Sequence, residues 1–155
     1  MAEPKNHSPT VSNKKARHLY IIEETLEAGM QLLGTEVKAI RTGKCNLTDS
    51  HVRVKKGDLF LIGCHIGAYE SAAQFNHEPR RERKLLLHRR EIDRLMGKVK
   101  ERGYTLIVTK VYFKNGRAKA EVALCRGKKA HDKRATLRER QVKKEMERVI
   151  KQHRS

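Results

Sequence analysis

Residues 104–125 read YTLIVTKVYFKNGRAKAEVALC, two runs rich in β-branched and aromatic residues on either side of Asn115-Gly116. Asn-Gly is the pair that best tolerates the two positive φ angles of a type I′ turn, so the stretch reads as a β-hairpin. In its second arm Ala118, Ala120, Val122 and Leu124 share one face, and Arg117, Lys119 and Glu121 share the other. A period of two turns an apolar face to a core and a charged face to solvent.

Working outward, HVRVKKGDLFLIGCHI at 51–66 predicts a second hairpin, with Val52 and Val54 alternating with Arg53 and Lys55 and with Gly57-Asp58 as the turn. Tyr20 and Ile22 alternate with Ile21 and Glu23, which predicts another strand. TEVKAIRTG at 35–43 sets Val37 and Ile40 three apart and ends on glycine, the pattern of a short helix. The clearest helix lies in LLLHRREIDRLMGKVKERG at 85–103, where Ile92, Leu95, Met96 and Val99 recur at i, i+3, i+4 and i+7 and Gly103 stands beyond the end. Residues 67–82 are polar and irregular and read as a long loop. Short antiparallel strands in a body spanning 13–126 must avoid open edges. The expected fold is therefore mainly β with helices: a small closed antiparallel barrel of OB type with flanking helices.

The ends are different. Residues 1–12 are polar and carry two prolines, and are expected to be disordered. Residues 127–155 carry 11 basic and 4 acidic side chains, +7 of a total of +18. Within QVKKEMERVIKQHR at 141–154, Val142, Met146, Val149 and Ile150 fall on one helical stripe among many like charges. Such a helix is marginal alone in water, so the basic C-terminal tail is expected to be loose by itself and helical once a polyanion neutralises it.

A net charge of +18 exceeds what solubility requires and points to a polyanionic partner, nucleic acid first. No apolar run approaches the roughly 20 residues of a membrane helix, and residues 1–18 lack the apolar stretch of a signal peptide. Three widely spaced cysteines, Cys45, Cys64 and Cys125, form no CxxC pair, which fits a reducing cytoplasm and argues against a disulfide framework or zinc site. GKCNLTDS at 43–50 is too short to be a phosphate loop. His131-Asp132 are adjacent and so do not face each other on a helix. With no recognisable nucleophile beside them, neither an enzyme nor a cofactor is expected. RRERKLLLHRR at 80–90 gathers cations suited to phosphates. Aromatic residues are scarce, with no Trp, which favours recognition of folded RNA by shape and backbone over base stacking.

Four blocks carry a resemblance: NKKARHLY (13–20), EAGMQLLGTEVKAIRTGKCNLTDS (27–50), RKLLLHRREI (83–92) and YFKNGRAKAEVALCRGKKAHDKR (112–134). In this order they closely resemble the bacterial SmpB family, the SsrA-binding proteins. The resemblance implies an OB-type domain that binds the tRNA-like domain of transfer-messenger RNA (tmRNA) and delivers it to stalled ribosomes. Trans-translation then frees the ribosome and tags the incomplete protein for degradation. It implies one monomer per tmRNA, no membrane partner and no catalysis. Carried over by position, Asn13, His18, Glu27, Arg41, Leu86, Lys119 and Gly127 are expected to contact tmRNA. Gly127, Lys128, Lys129, His131, Asp132, Lys133 and Arg134 are expected to contact the ribosome's small-subunit decoding region, with the helix beyond them in the message channel. Cys45 and Cys125 depart from the pattern, which has a small residue such as Ala there. Two other readings are a generic OB-type RNA-binding or ribosomal protein, and a nuclease using His131 or His18.

Overall fold

The structure, a computed structural model of the chain, describes residues 9–101, 103–127 and 130–153. The strands are β1 (Val11–Ser12), β2 (Tyr20–Met30), β3 (Cys45–Asn46), β4 (His51–Lys55), β5 (Asp58–Ile62), β6 (His65–Ile66), β7 (Arg83–Leu86), β8 (Tyr104–Lys114) and β9 (Arg117–Gly127). The helices are α1 (Ala16–Leu19), α2 (Gly34–Arg41), α3 (Arg89–Lys100) and α4 (Ala130–His153). Six antiparallel strands pair in the order β8-β4-β5-β7-β2-β9, and β9 pairs back onto β8 to close the ring. Closure removes the unpaired edges that short strands would otherwise expose. The short β1 adds to β8 outside the ring, and β3 pairs with β6 separately.

The hairpin that decides the fold is present: Lys114 pairs with Arg117, and Asn115 and Gly116 take φ of 52° and 75°. The second hairpin turns one residue earlier than expected. Lys55 pairs with Asp58, and Lys56 (φ 49°) with Gly57 (φ 79°) makes the turn. A two-residue turn of this kind needs both central residues left-handed, and Lys56 accepts that strain so that Asp58 can join the ladder. The long strands β2 and β8 each carry a register shift, between Ile22 and Glu24 and between Val108 and Lys110. Such bulges bend a strand and raise its twist, which lets eleven-residue strands wrap a small ring.

The interior of the ring holds the main core, including Leu59, Leu61, Leu85, Leu106, Val108, Val122 and Leu124. From α3, Ile92 and Leu95 are buried in it, and Met96 and Val99 pack against it. A second, smaller cluster lies on the outer face, where Ala16 of α1 packs on Ile107, Ala123 and Cys125. The outward face of β9 is thus polar only in its first half.

The 67–82 segment is more structured than a loop. It contains a 3-10 turn at Glu70–Phe75 and the buried His77. His77 Nε2 lies 2.9 Å from the Ile66 carbonyl and Nδ1 lies 2.9 Å from the Thr35 hydroxyl. A carbonyl only accepts, so Nε2 donates and Nδ1 is left to accept from Thr35. Beneath this segment Glu36 and Arg83 are both fully buried and paired. Arg81 reaches the other Glu36 oxygen at 2.6 Å, and the Leu33 N–H donates to Glu36 at 2.8 Å, capping α2. Arg83 also donates to the Cys64 carbonyl at 2.7 Å and the Pro79 carbonyl at 3.1 Å. Burial alone would push the Glu36 carboxyl up. The hydrogen bonds from Arg81, the Leu33 N–H and Arg83 outweigh it and hold the group below its ordinary value.

The C-terminal residues 130–153 form a continuous helix whose Val142, Met146, Val149 and Ile150 are at least half exposed. Among the described residues no helix is long and apolar enough to cross a membrane.

Candidate nucleic-acid interface

Because β2 lies between β7 and β9, residues from three strands meet around its C-terminal end. Gly29 pairs with Leu86 on one side and Lys119 on the other. An open groove of about 680 Å³ runs here, lined among others by Glu27, Gly29, Leu86, His88, Arg117 and Lys119. A Cβ on Gly29 would come within 3.3 Å of the Leu86 Cβ. The absent side chain therefore leaves the groove floor open beneath Leu86, which is 49% exposed. A glycine inside a strand signals this kind of close approach.

Glu27 is held ready on the same outer face. The Tyr112 hydroxyl donates to its Oε2, and Lys114 Nζ lies 3.6 Å away. The Tyr112 hydrogen bond holds the Glu27 carboxyl below its ordinary value, helped by the charges of Lys114 and Lys119. Burial, then the bond to Glu27, pushes the Tyr112 hydroxyl up to about 12. The carboxylate is thus an oriented, ionised acceptor beside the cations Lys114 and Lys119. Arg41, on the last turn of α2, reaches toward the β8–β9 turn: its guanidinium donates to the Gly116 carbonyl at 3.4 Å and lies 5.1 Å over the Phe113 ring. Gly116 also lines the groove, so Arg41 stands at its rim.

The sequence-derived residues thus fall into two groups. Glu27, Arg41, Leu86 and Lys119 meet at the groove. His18 and Gly127 lie toward the other end of the β2–β9 pair, where Tyr20 pairs with Gly127. Tyr20 and Gly29 are nine residues apart along β2, about 30 Å of chain at 3.3 Å per residue, so the two groups lie at opposite ends of this strand pair. Half-buried His18 lies in α1 one residue before its end, and its Nδ1 has no hydrogen-bond partner among the described residues. At Gly127 a Cβ would meet nothing within 4 Å among the described residues, and the backbone is not left-handed.

Asn13 is 8% exposed, and its Nδ2 donates to the Leu47 and Val108 carbonyls at 3.2 and 3.4 Å, while its Oδ1 has no hydrogen-bond partner among the described residues. Its backbone N–H adds a 2.7 Å bond to the Thr109 carbonyl. The residue ties the N-terminal segment to the ring. Lys128 and Lys129 lie outside the described residues, while His131, Asp132, Lys133 and Arg134 fall in the first part of α4, where only the backbone is described. Sequence reasoning missed Tyr112, Lys114 and Gly29. Gly29 was the detectable signal, a glycine inside a strand pattern, whereas the Tyr112–Glu27 pairing joins residues 85 positions apart and had none.

Comparison with known proteins gives a consistent picture. The family model described as SmpB protein matches residues 10–152. The SsrA-binding protein of Halalkalibacterium halodurans is 55% identical over 140 residues, covering 90% of this chain and 91% of that protein. The SsrA-binding protein of Pelotomaculum thermopropionicum is 54% identical over 140 residues, covering 90% and 92%. Among solved structures, a chain from "tmRNA-SmpB: a journey to the center of the bacterial ribosome" matches with a TM-score of 0.68 and 47% identity, covering 84% of this chain and 95% of that one.

Proposed function

The chain belongs to the SmpB family, and on that premise we propose that it binds the tRNA-like domain of tmRNA and delivers it to stalled ribosomes for trans-translation. The observation that carries this reading is the groove, where the oriented Glu27 carboxylate, the exposed Leu86 and the cations Arg117 and Lys119 converge. Lys119 and Arg117 suit phosphates, whose neutralisation drives affinity. Glu27 suits a base amino group, as carboxylates accept from cytosine N4. Leu86 offers apolar contact to a sugar or base. Arg41 at the rim and Gly127 at the far end extend the footprint along the face. His18 supplies an imidazole edge.

The tail acts on the ribosome. Gly127, Lys128, Lys129, His131, Asp132, Lys133 and Arg134 meet the decoding region, and the basic helix beyond occupies the message channel where phosphates otherwise run. A channel filled with message excludes the helix, so the tail engages only stalled ribosomes. No bond of the RNA is made or broken by this chain, and the place of action is the cytoplasm, where ribosomes work.

The test is a pair of titrations across several salt concentrations, one with the isolated tRNA-like domain and one with an ordinary tRNA. Preference for the tRNA-like domain that persists at high salt supports shape and edge contacts. Equal affinities that fall together with salt reduce the protein to a generic RNA binder held by charge. RNA cleavage on prolonged incubation supports the nuclease reading instead.

A further inference from the structure

Away from the RNA-binding face, two thiols meet inside the fold. Cys45 on β3 and Cys64, between β5 and β6, place their sulfurs 3.7 Å apart, in contact but unbonded. The contact is built by pairing: Cys45 lies opposite Ile66 in the β3–β6 ladder, and Cys64 stands two residues before Ile66. The two thiols are not equivalent. Cys64 is fully buried, and its carbonyl is held by Arg83. Cys45 is only part-buried. The third cysteine, Cys125, is buried in the separate cluster under α1.

We propose that Cys45 and Cys64 form an oxidation site that reacts with hydroperoxides and closes to an intramolecular disulfide. Cys45, the more accessible thiol, attacks first. The hydrogen bond from Cys64 favours its thiolate, and the nearby Arg83 charge adds to this, whereas Cys64 itself is held protonated by that bond and by burial. A reactive cysteine with a resolving thiol in contact is the arrangement of a redox-sensitive pair.

In the first step the Cys45 sulfur attacks the distal oxygen of the hydroperoxide and forms an S–O bond. The O–O bond breaks, an alcohol (water, from hydrogen peroxide) leaves, and Cys45 becomes a sulfenic acid. In the second step the Cys64 sulfur attacks the sulfenic sulfur. The S–O bond breaks, the S–S bond forms, and hydroxide leaves as water with the Cys64 proton. Overall, two thiols and one hydroperoxide give one disulfide, one alcohol and one water, with the two sulfurs oxidised by two electrons and the hydroperoxide reduced by two. The bond closes a loop containing the whole β4–β5 hairpin and leaves the groove residues untouched.

The experiment uses the purified full chain, fully reduced and then exposed to hydrogen peroxide at near-equimolar concentration. Free thiols are titrated, and peptides are mapped under non-reducing conditions. The expected result is a fall from three titratable thiols to one, Cys125, with a monomer lighter by about 2 Da, the two hydrogens lost on disulfide formation, and a peptide linking Cys45 to Cys64. Cys45→Ala should abolish the loss of both thiols. Cys64→Ala should stop the chain at a Cys45 sulfenic acid that dimedone captures. The proposal is overturned if both thiols stay reduced in the folded chain, if the only disulfides are intermolecular, or if Cys45→Ala leaves the oxidation of Cys64 unchanged. Failure here would leave the RNA-binding reading intact, because the titrations with RNA do not involve these thiols.

Discussion

At the scale of single residues, Glu27 and Lys119 have opposite charges and, in the proposed function, different tasks. Glu27 is partly exposed and oriented by Tyr112 and Lys114. Glu27→Gln keeps the shape but puts an amide where an ionised acceptor stood. It is expected to weaken binding to the tRNA-like domain by about tenfold, the loss of one charged hydrogen bond, with an unchanged circular dichroism melt. A variant that binds RNA as well as the parent would remove Glu27 from the interface. Lys119→Ala should weaken binding to all RNAs alike and lower the salt slope by about one. A loss confined to the tRNA-like domain would show that Lys119 reads more than phosphate. Asn13 makes a structural contribution. Asn13→Ala removes the two Nδ2 hydrogen bonds to the Leu47 and Val108 carbonyls and is expected to cost about 1–3 kcal/mol of stability, at about 0.5–1.5 kcal/mol per bond, read as a lower urea midpoint. An unchanged midpoint would show that these bonds are not worth their desolvation.

At the scale of elements, α2 carries Arg41 to the groove rim, and its position depends on a buried ion cluster. Glu36 caps the helix and binds Arg81 and Arg83, so the helix, β7 and the 63–79 segment share one anchor. Glu36→Gln leaves Arg83 buried without its charge partner, and breaking such a pair costs about 3–5 kcal/mol. A loss under about 1 kcal/mol, the usual limit for a surface pair, would mean that water reaches the cluster. The same carboxyl gives a pH dependence. Its value lies below the ordinary 4.5, so the unfolded chain takes up its proton first as pH falls. The stabilisation is therefore complete above about pH 4.5 and declines as pH drops toward the lower folded value. Urea midpoints measured from neutral to acid pH should show this decline in the parent and a shallower one in Glu36→Gln; identical profiles would assign acid unfolding to other carboxylates.

At the scale of the molecule, a ring body is followed by a long cationic helix, and the proposed function divides the work between them. The core is supplied by the strands, α2 and α3, while the apolar stripe of α4 stays exposed. A chain ending at Arg126 should therefore keep the fold and most of its affinity for the tRNA-like domain, yet fail to support tagging on stalled ribosomes. Equal loss of both activities would place RNA-binding residues in the tail. The charge fits this division, since residues 127–155 hold +7 of the +18 in under a fifth of the length.

The sequence by itself determined the elements that depend on local chemistry. Asn115-Gly116 specified its turn, alternation specified the strands, and the 92–99 apolar stripe specified α3, because turn dihedrals and side-chain periods are set within a few residues. The four groove residues were legible only through family resemblance; nothing local distinguished Glu27 from a surface carboxylate. The tertiary structure decided what depends on distant partners. Ring closure placed Tyr112 on Glu27 and Arg41 by the β8–β9 turn. Packing buried Asn13 and turned the outer half of β9 into a second core under α1. It also brought Cys45 to Cys64 and Glu36 to Arg83. Those contacts join residues at least 19 positions apart; their energies arise from burial and fixed geometry, which exist only once the ring has closed.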